Sequence, residues 1–206
     1  MRLAVTGAAG FIGTEVVNQA LAAGHRVQAL ARRAAAVPPR PNLEVIEGDA
    51  TDPIALARLL ADADAAVSCV GGTGDLAAMM IALLDAMRAA PVRRLVAISG
   101  AGITVPGERK PLQHRLASAV VRLAAARAVS SKQAEYEVLA TRSTDVDWVS
   151  LRPPRVVDGP ASGKARVSLD AAEMAFRVTR SDVAAVILQE LTDDRFLGRA
   201  AYIATS

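Results

Sequence analysis

Three glycines at three-residue intervals, Gly7, Gly10 and Gly13, carry the strongest chemical signal in the chain. They follow a short apolar run, Leu3-Ala4-Val5. They precede Ile12, Val16, Val17, Ala20 and Leu21, which fall on one helical stripe. Strand, glycine turn and helix put backbone N–H groups and a helix N-terminus against a pyrophosphate. Gly7 permits the tight turn, Gly10 leaves room for phosphate, and Gly13 lets the helix lie close to the sheet. Ala9, Phe11 and Ile12 complete the turn expected to hold that group. The spacing is G-x-x-G-x-x-G rather than G-x-G-x-x-G, so an ordinary strand-to-helix turn is the competing reading. A second strand at Val27-Gln28-Ala29-Leu30 supplies the context that favours the nucleotide.

The second strand ends Leu30-Ala31-Arg32-Arg33, with no Asp or Glu. A carboxylate there would accept from the ribose 2′-OH of NAD, whereas arginine accommodates the 2′-phosphate of NADP. Two adjacent guanidiniums can grip a phosphate through charge-assisted hydrogen bonds. The alternative is a solvated basic pair; beside the glycine turn, the balance favours NADP(H) over NAD(H). Asp49-Ala50 follows a third strand. Asp49 either accepts from the adenine amino group or makes a local turn. Val70-Gly71-Gly72, after a fourth strand, lets a nucleotide pass close to the backbone, unless these are simple turn glycines.

The elements that position these groups alternate. Strands are expected at Leu3–Val5, Arg26–Ala31, Leu43–Glu47, Ala65–Val70, Arg94–Ser99, Asp147–Leu151, near Val167 and at Ala201–Ala204. Helices are expected after Gly13, after Asp52-Pro53, over Leu76–Met87, about Leu112–Arg127, about Ser130–Arg142 and over Asp182–Leu191, with Ser181 as the last cap. The alternation predicts an α/β, Rossmann-like doubly wound parallel sheet with helices on both faces. At 206 residues it reads as one domain over 1–206, with a small pocket-forming segment at about 153–180. Ligands of such sheets bind beyond the strand C-termini.

Composition narrows the class further. Half the residues are apolar and only 3% aromatic, so Ala, Val and Leu must build the core. The net charge of +3, with no long basic run, gives nucleic-acid binding little support. One cysteine, Cys69, excludes an internal disulfide and fits a reducing cytoplasm. Neither a signal-peptide layout nor a membrane-length apolar run is expected. Two distant histidines without paired cysteines give no metal-ligand spacing. No Gly-Lys-Ser/Thr follows the glycine turn and no G-x-S-x-G occurs, which argues against a P-loop and a nucleophile elbow. Near the expected pocket, Pro153, Pro154 and Arg155 follow strand six, and Arg152 or Arg155 could meet an acidic substrate, unless Arg152 only pairs with a core carboxylate. His114 either faces that pocket or sits on the surface, and the residue alone favours the surface.

Thr6 to Gly13, Gly48-Asp49, Ser130 to Glu135, Trp148 to Pro154 and Arg180 to Ala184 together resemble the short-chain dehydrogenase/reductase superfamily. Within it they resemble the atypical branch of NmrA-like and flavin-reductase, or biliverdin-reductase-B-like, proteins. The resemblance spans nearly the whole chain. It implies pyrophosphate at the glycine turn, NADPH selection by the arginine after strand two, and adenine beside the aspartate after strand three. It also implies a ribose contact for Lys132 and a site role for Ser99, so both are candidates for catalysis and for cofactor binding. Typical members use Tyr-x-x-x-Lys; here Ala128 stands where that tyrosine would be, and Gly100 or Ala101 takes the usual serine's place. An exposed helix lysine is the alternative for Lys132. The flavin-reductase-like branch also lacks the tyrosine, because hydride passes to an electron-poor ring and solvent can protonate the product. The walls of such a site are expected at Val70–Thr73, Gly100–Ile103 and Pro153–Val157.

The resulting expectation is a cytoplasmic NAD(P)H-dependent reductase of a small flavin, quinone or similar acceptor, with flavin as substrate only. Members of the superfamily pair through helices, so a monomer or homodimer is implied. A non-catalytic NADP(H)-binding regulator of NmrA type ranks second, and a nucleotide-sugar epimerase third.

Overall fold

The computed structural model describes residues 1–108, 111–112, 114–115, 123 and 125–205. The helix expected over about 112–127 lies largely outside the described residues. β1 (Arg2–Thr6), β2 (Arg26–Ala31), β3 (Leu43–Glu47), β4 (Ala65–Ser68), β5 (Arg94–Ile98), β6 (Asp147–Arg152), β8 (Ala165–Ser168) and β10 (Arg199–Thr205) form one sheet in the order β3-β2-β1-β4-β5-β6-β10-β8. Every pairing is parallel except β10 with β8, which closes the edge antiparallel. The doubly wound parallel sheet read from the alternation is therefore what the chain forms.

Helices cover both faces. α1 (Gly13–Ala22) and α5 (Arg180–Glu190) pack on one face, where Leu3, Val5, Val16, Val27, Val149 and Ile187 meet. α2 (Pro53–Leu60), α3 (Leu76–Ala89) and α4 (Ala126–Arg142) cover the other, with Ala4, Leu30, Leu56, Met80, Leu95 and Trp148. Burial on both faces explains why the central strands read as continuous apolar runs rather than alternating ones. No helix among the described residues is long and apolar enough to cross a membrane.

The structure corrects several boundaries. β4 leaves the ladder at Ser68 rather than Val70, because the Val70 carbonyl is taken by Lys132 instead of a strand neighbour. α4 begins at Ala126, four residues before the expected Ser130, without a side-chain cap. The cap of α5 is Thr179, whose hydroxyl accepts from the Asp182 N–H at 3.0 Å; Ser181 instead bonds Glu15 and the Gly159 carbonyl. Two short strands lacked any sequence signal. β7 (Arg155–Val157) and β9 (Arg177–Thr179) pair in parallel as a separate small sheet.

Candidate functional site

Strand order reverses between β1 and β4, and the turns leaving those two strands face each other. Gly7 adopts φ +68°, and a Cβ there would lie 2.6 Å from the Cys69 carbonyl carbon. A Cβ on Gly13 would lie 2.1 Å from the Gly7 carbonyl oxygen. Glycine at both positions is what lets the turn fold under the β4 exit and lets α1 begin against it. This places the N-terminus of α1 beyond the sheet, where a diphosphate is held in such folds.

The cleft at this switch point has a volume of about 580 Å³. It brings together Gly7, Ala9 and Gly10 with Arg32 and Arg33, Asp49 and Ala50, and Val70, Gly71 and Gly72. Phe11, Ile12 and Gly13 do not line it. Phe11 is half exposed beneath the Arg180 guanidinium, Ile12 packs on the core, and Gly13 packs on Gly7. Arg32 and Arg33 are exposed on the rim. Asp49 makes the local turn, accepting from the Thr51 N–H at 2.9 Å and its hydroxyl at 2.7 Å, while it also lines the cleft. Those bonds, with the nearby Arg32 charge, hold its carboxyl below the usual range. Cys69 lines the cleft just past β4, and burial pushes its thiol up to about 12, so it is inert as a nucleophile. A glycine turn that side chains do not plug, a basic rim and a carboxylate opposite fit the phosphates and adenosine of a dinucleotide.

A second cavity, of about 480 Å³, opens beyond β5 and β6. Gly100 to Ile103, Ala125, Ala128, Val129, Pro153, Pro154, Met174, Ala175 and Phe176 give it apolar walls. Its lining also includes Lys132, His114 and Arg155, and no Asp or Glu among the described residues. The Val70–Thr73 wall expected here belongs to the nucleotide cleft instead, because the backbone turns toward α3 after β4. Val156 and Val157 lie off the cavity, since β7 pairs away with β9.

Lys132 lines the apolar cavity and bonds Val70, which lines the nucleotide cleft. It is not an exposed helix lysine: its Nζ donates to the Val70 carbonyl at 2.6 Å, to the Ile98 carbonyl and to Glu135 at 2.6 Å. Burial pushes the Glu135 carboxyl up, and the Lys132 charge opposes that shift. Ser99 lines neither space. Its hydroxyl is buried without a hydrogen-bond partner among the described residues, and its N–H donates to the Leu151 carbonyl at 2.8 Å. His114 is 1% exposed rather than on the surface, its ring 5.3 Å from that of Phe176. Pro153 and Lys132, expected at the nucleotide, line the apolar cavity.

Arg152 turns away from the cavity. Its buried guanidinium pairs with Glu108 at 2.6 Å, donates to the Ile103 carbonyl at 2.9 Å and lies 4.2 Å over the Tyr202 ring. Tyr202 also bonds Glu108. The sequence signal for Glu135 was its i+3 spacing from Lys132. Met174, Ala175 and Phe176 fall within the pocket-forming segment expected at about 153–180, but none stands out by its residue type.

A doubly wound sheet with an unplugged glycine turn at its switch point defines a dinucleotide-binding Rossmann protein. The chain belongs to the NAD(P)H-binding family, whose model matches residues 7–194. Among solved structures it is similar to ChuY, an anaerobillin reductase from Escherichia coli O157:H7, at 24% identity and TM-score 0.83, covering 100% of this chain and 97% of that one. It is also similar to a short-chain dehydrogenase/reductase from Veillonella parvula in complex with NADP, at 19% identity and TM-score 0.81, covering 98% and 94%. A curated relative, the 3 beta-hydroxysteroid dehydrogenase/Delta 5→4-isomerase of Mycobacterium tuberculosis, is 45% identical over 51 residues, 25% of this chain. The match spans only 14% of that relative's length.

Proposed function

We propose that the protein is an NADPH-preferring reductase that passes hydride to a small, flat, electron-poor acceptor such as a flavin or quinone. The observation carrying this reading is Lys132, which lines the apolar cavity while its Nζ donates to the carbonyl of Val70, a residue lining the nucleotide cleft. A nicotinamide nucleotide supplies hydride when bound. The glycine turn would hold its diphosphate and Arg32 and Arg33 its 2′-phosphate, and Lys132 would reach its nicotinamide-side ribose by giving up one of its three present hydrogen bonds, to Val70, Ile98 or Glu135. The apolar walls would stack the acceptor and exclude water, so that position rather than a strong acid governs the transfer. Ala128 leaves room for a ring where typical superfamily members carry tyrosine. A reductase activity in a protein of the same fold, ChuY, supports the assignment.

The test is oxidation of NADPH followed at its absorbance band, with FMN, menadione or dichlorophenolindophenol as acceptor. Acceptor-dependent oxidation is expected. Tight NADPH binding with no oxidation by any acceptor would favour the regulator instead. The NADPH preference is tested separately. Arg32→Ala is expected to weaken NADPH roughly tenfold and NADH little, as loss of a charge-assisted hydrogen bond implies. An unchanged preference would remove the phosphate assignment.

A further inference from the structure

The charge inventory around the apolar cavity is unbalanced in one place. Between Pro153 and Asp182 the chain has four acids, Asp158, Asp170, Glu173 and Asp182. All are engaged. Asp158 pairs with Arg180 at 2.9 Å and Glu173 with Arg166 at 2.7 Å. Asp170 accepts from the Ala172 N–H at 2.8 Å, and Asp182 from the Ser162 N–H at 2.8 Å and the Thr179 hydroxyl at 3.0 Å. Arg155 and Arg177 are left over. Both are exposed, and neither has a hydrogen-bond or ion-pair partner among the described residues.

These two arginines are also register partners. Arg155 on β7 sits directly beside Arg177 on β9. Neighbours in register project to the same face of a ladder. Arg155 lines the cavity, whereas Arg177 is not in its lining and is placed beside it by its register with Arg155 alone. Like charges placed side by side on adjacent strands are unfavourable on their own. Two forked donors that share a face are the arrangement that grips a carboxylate, sulfonate or phosphate. The deeper basic groups do not serve this purpose. The Lys132 charge is compensated by Glu135, and the buried His114 ring lies against that of Phe176.

We propose that Arg155 and Arg177 form an anion-gripping rim on the acceptor cavity, so that the acceptor is a flat apolar ring bearing an acidic group. This rests on the acceptor reading above and adds the substrate's charge to it. Exposed guanidiniums are screened by salt, so the grip weakens as ionic strength rises.

Matched pairs of acceptors test it: FMN against riboflavin for a phosphate, and 1,4-naphthoquinone-2-sulfonate against menadione for a sulfonate. Flavin-fluorescence titration gives a binding readout independent of turnover, and KM for each acceptor gives a second. The anionic member of at least one pair is expected to bind about tenfold more tightly at low salt. The pair that shows it identifies the group read. Arg155→Ala/Arg177→Ala should erase the difference and leave the NADPH Kd and thermal midpoint unchanged, while Arg155→Lys/Arg177→Lys should keep part of it. Equal binding of charged and neutral acceptors, or a difference that survives both alanines, overturns the rim and leaves the acceptor reading intact. Loss of NADPH affinity in the alanine variant, with acceptor binding unaltered, also overturns it. If the unsubstituted protein neither binds nor reduces any of the four, the acceptor reading fails and the rim with it.

Discussion

Single atoms decide whether the nucleotide cleft exists. Adding a Cβ to Gly13 would bring it 2.1 Å from the Gly7 carbonyl oxygen, so either α1 or the turn must move. Gly13→Ala is expected to lower stability by roughly 1–3 kcal/mol through overpacking. It should weaken NADPH far more than that loss alone implies, since the moving parts are the ones that hold the diphosphate. Urea unfolding and a nucleotide titration measure the two effects. Lys132 permits a sharper separation. Lys132→Met leaves Glu135 buried and unpaired, at a cost of roughly 3 kcal/mol. Without the lysine, burial raises the carboxyl's pKa further, so the deficit should grow as pH rises and shrink where Glu135 protonates. Adding Glu135→Gln should restore most of the stability and none of the NADPH affinity. A double variant that binds nucleotide like the unsubstituted protein would leave Lys132 a purely structural residue.

Elements depend on local chemistry where they are long and on distant partners where they are short. The hydroxyl of Thr179 caps α5 and donates to Asp182, which in turn holds the Ser162–Gly163 turn. Thr179→Ala is expected to cost about 1 kcal/mol, in the range for a lost N-cap. Amide exchange should speed up at both the first turn of α5 and Ser162–Gly163, whereas a change confined to α5 would disconnect the turn from the cap. The same distinction explains what could be read beforehand. The central strands were legible because burial on both faces makes them apolar runs, and the glycine turn because its spacing has a steric cause. β7 and β9 were not, because three-residue strands are stabilised only by each other and their register is a long-range property. Ser181 and Thr179 both suit a cap, and only the approach of Glu15 from α1 decides between them. His114 looks like a surface residue until Phe176, far along the chain, is placed against it.

At the scale of the molecule, the C-terminal edge of the sheet carries both cavities, and the opposite edge carries a buried acid. There, beside the start of β5, the Glu190 carboxyl is buried with one oxygen unpartnered among the described residues. Burial, and then the Asp193 charge, push it up from 4.5 to about 7, against the pull of Arg195 and Arg94. An acid whose folded pKa is raised favours the folded state in its protonated form. That contribution is full below about pH 4.5, declines from there and is lost as pH passes about 7. Glu190→Gln keeps the shape without the charge. It is expected to match the unsubstituted protein at pH 4 and to exceed it at pH 8 by roughly 1–2 kcal/mol, after discounting for solvent screening. For a chain of this size each kcal/mol moves the thermal midpoint by about 2–4 °C. Melting curves of the two proteins at matched pH check it, because the general acid loss of other paired carboxylates then cancels. NADPH affinity should not change, since Glu190 lies across the sheet from the cleft. Equal midpoints at both pH values would mean that Arg94 and Arg195 neutralise the carboxylate and that the opposite edge holds no charge penalty.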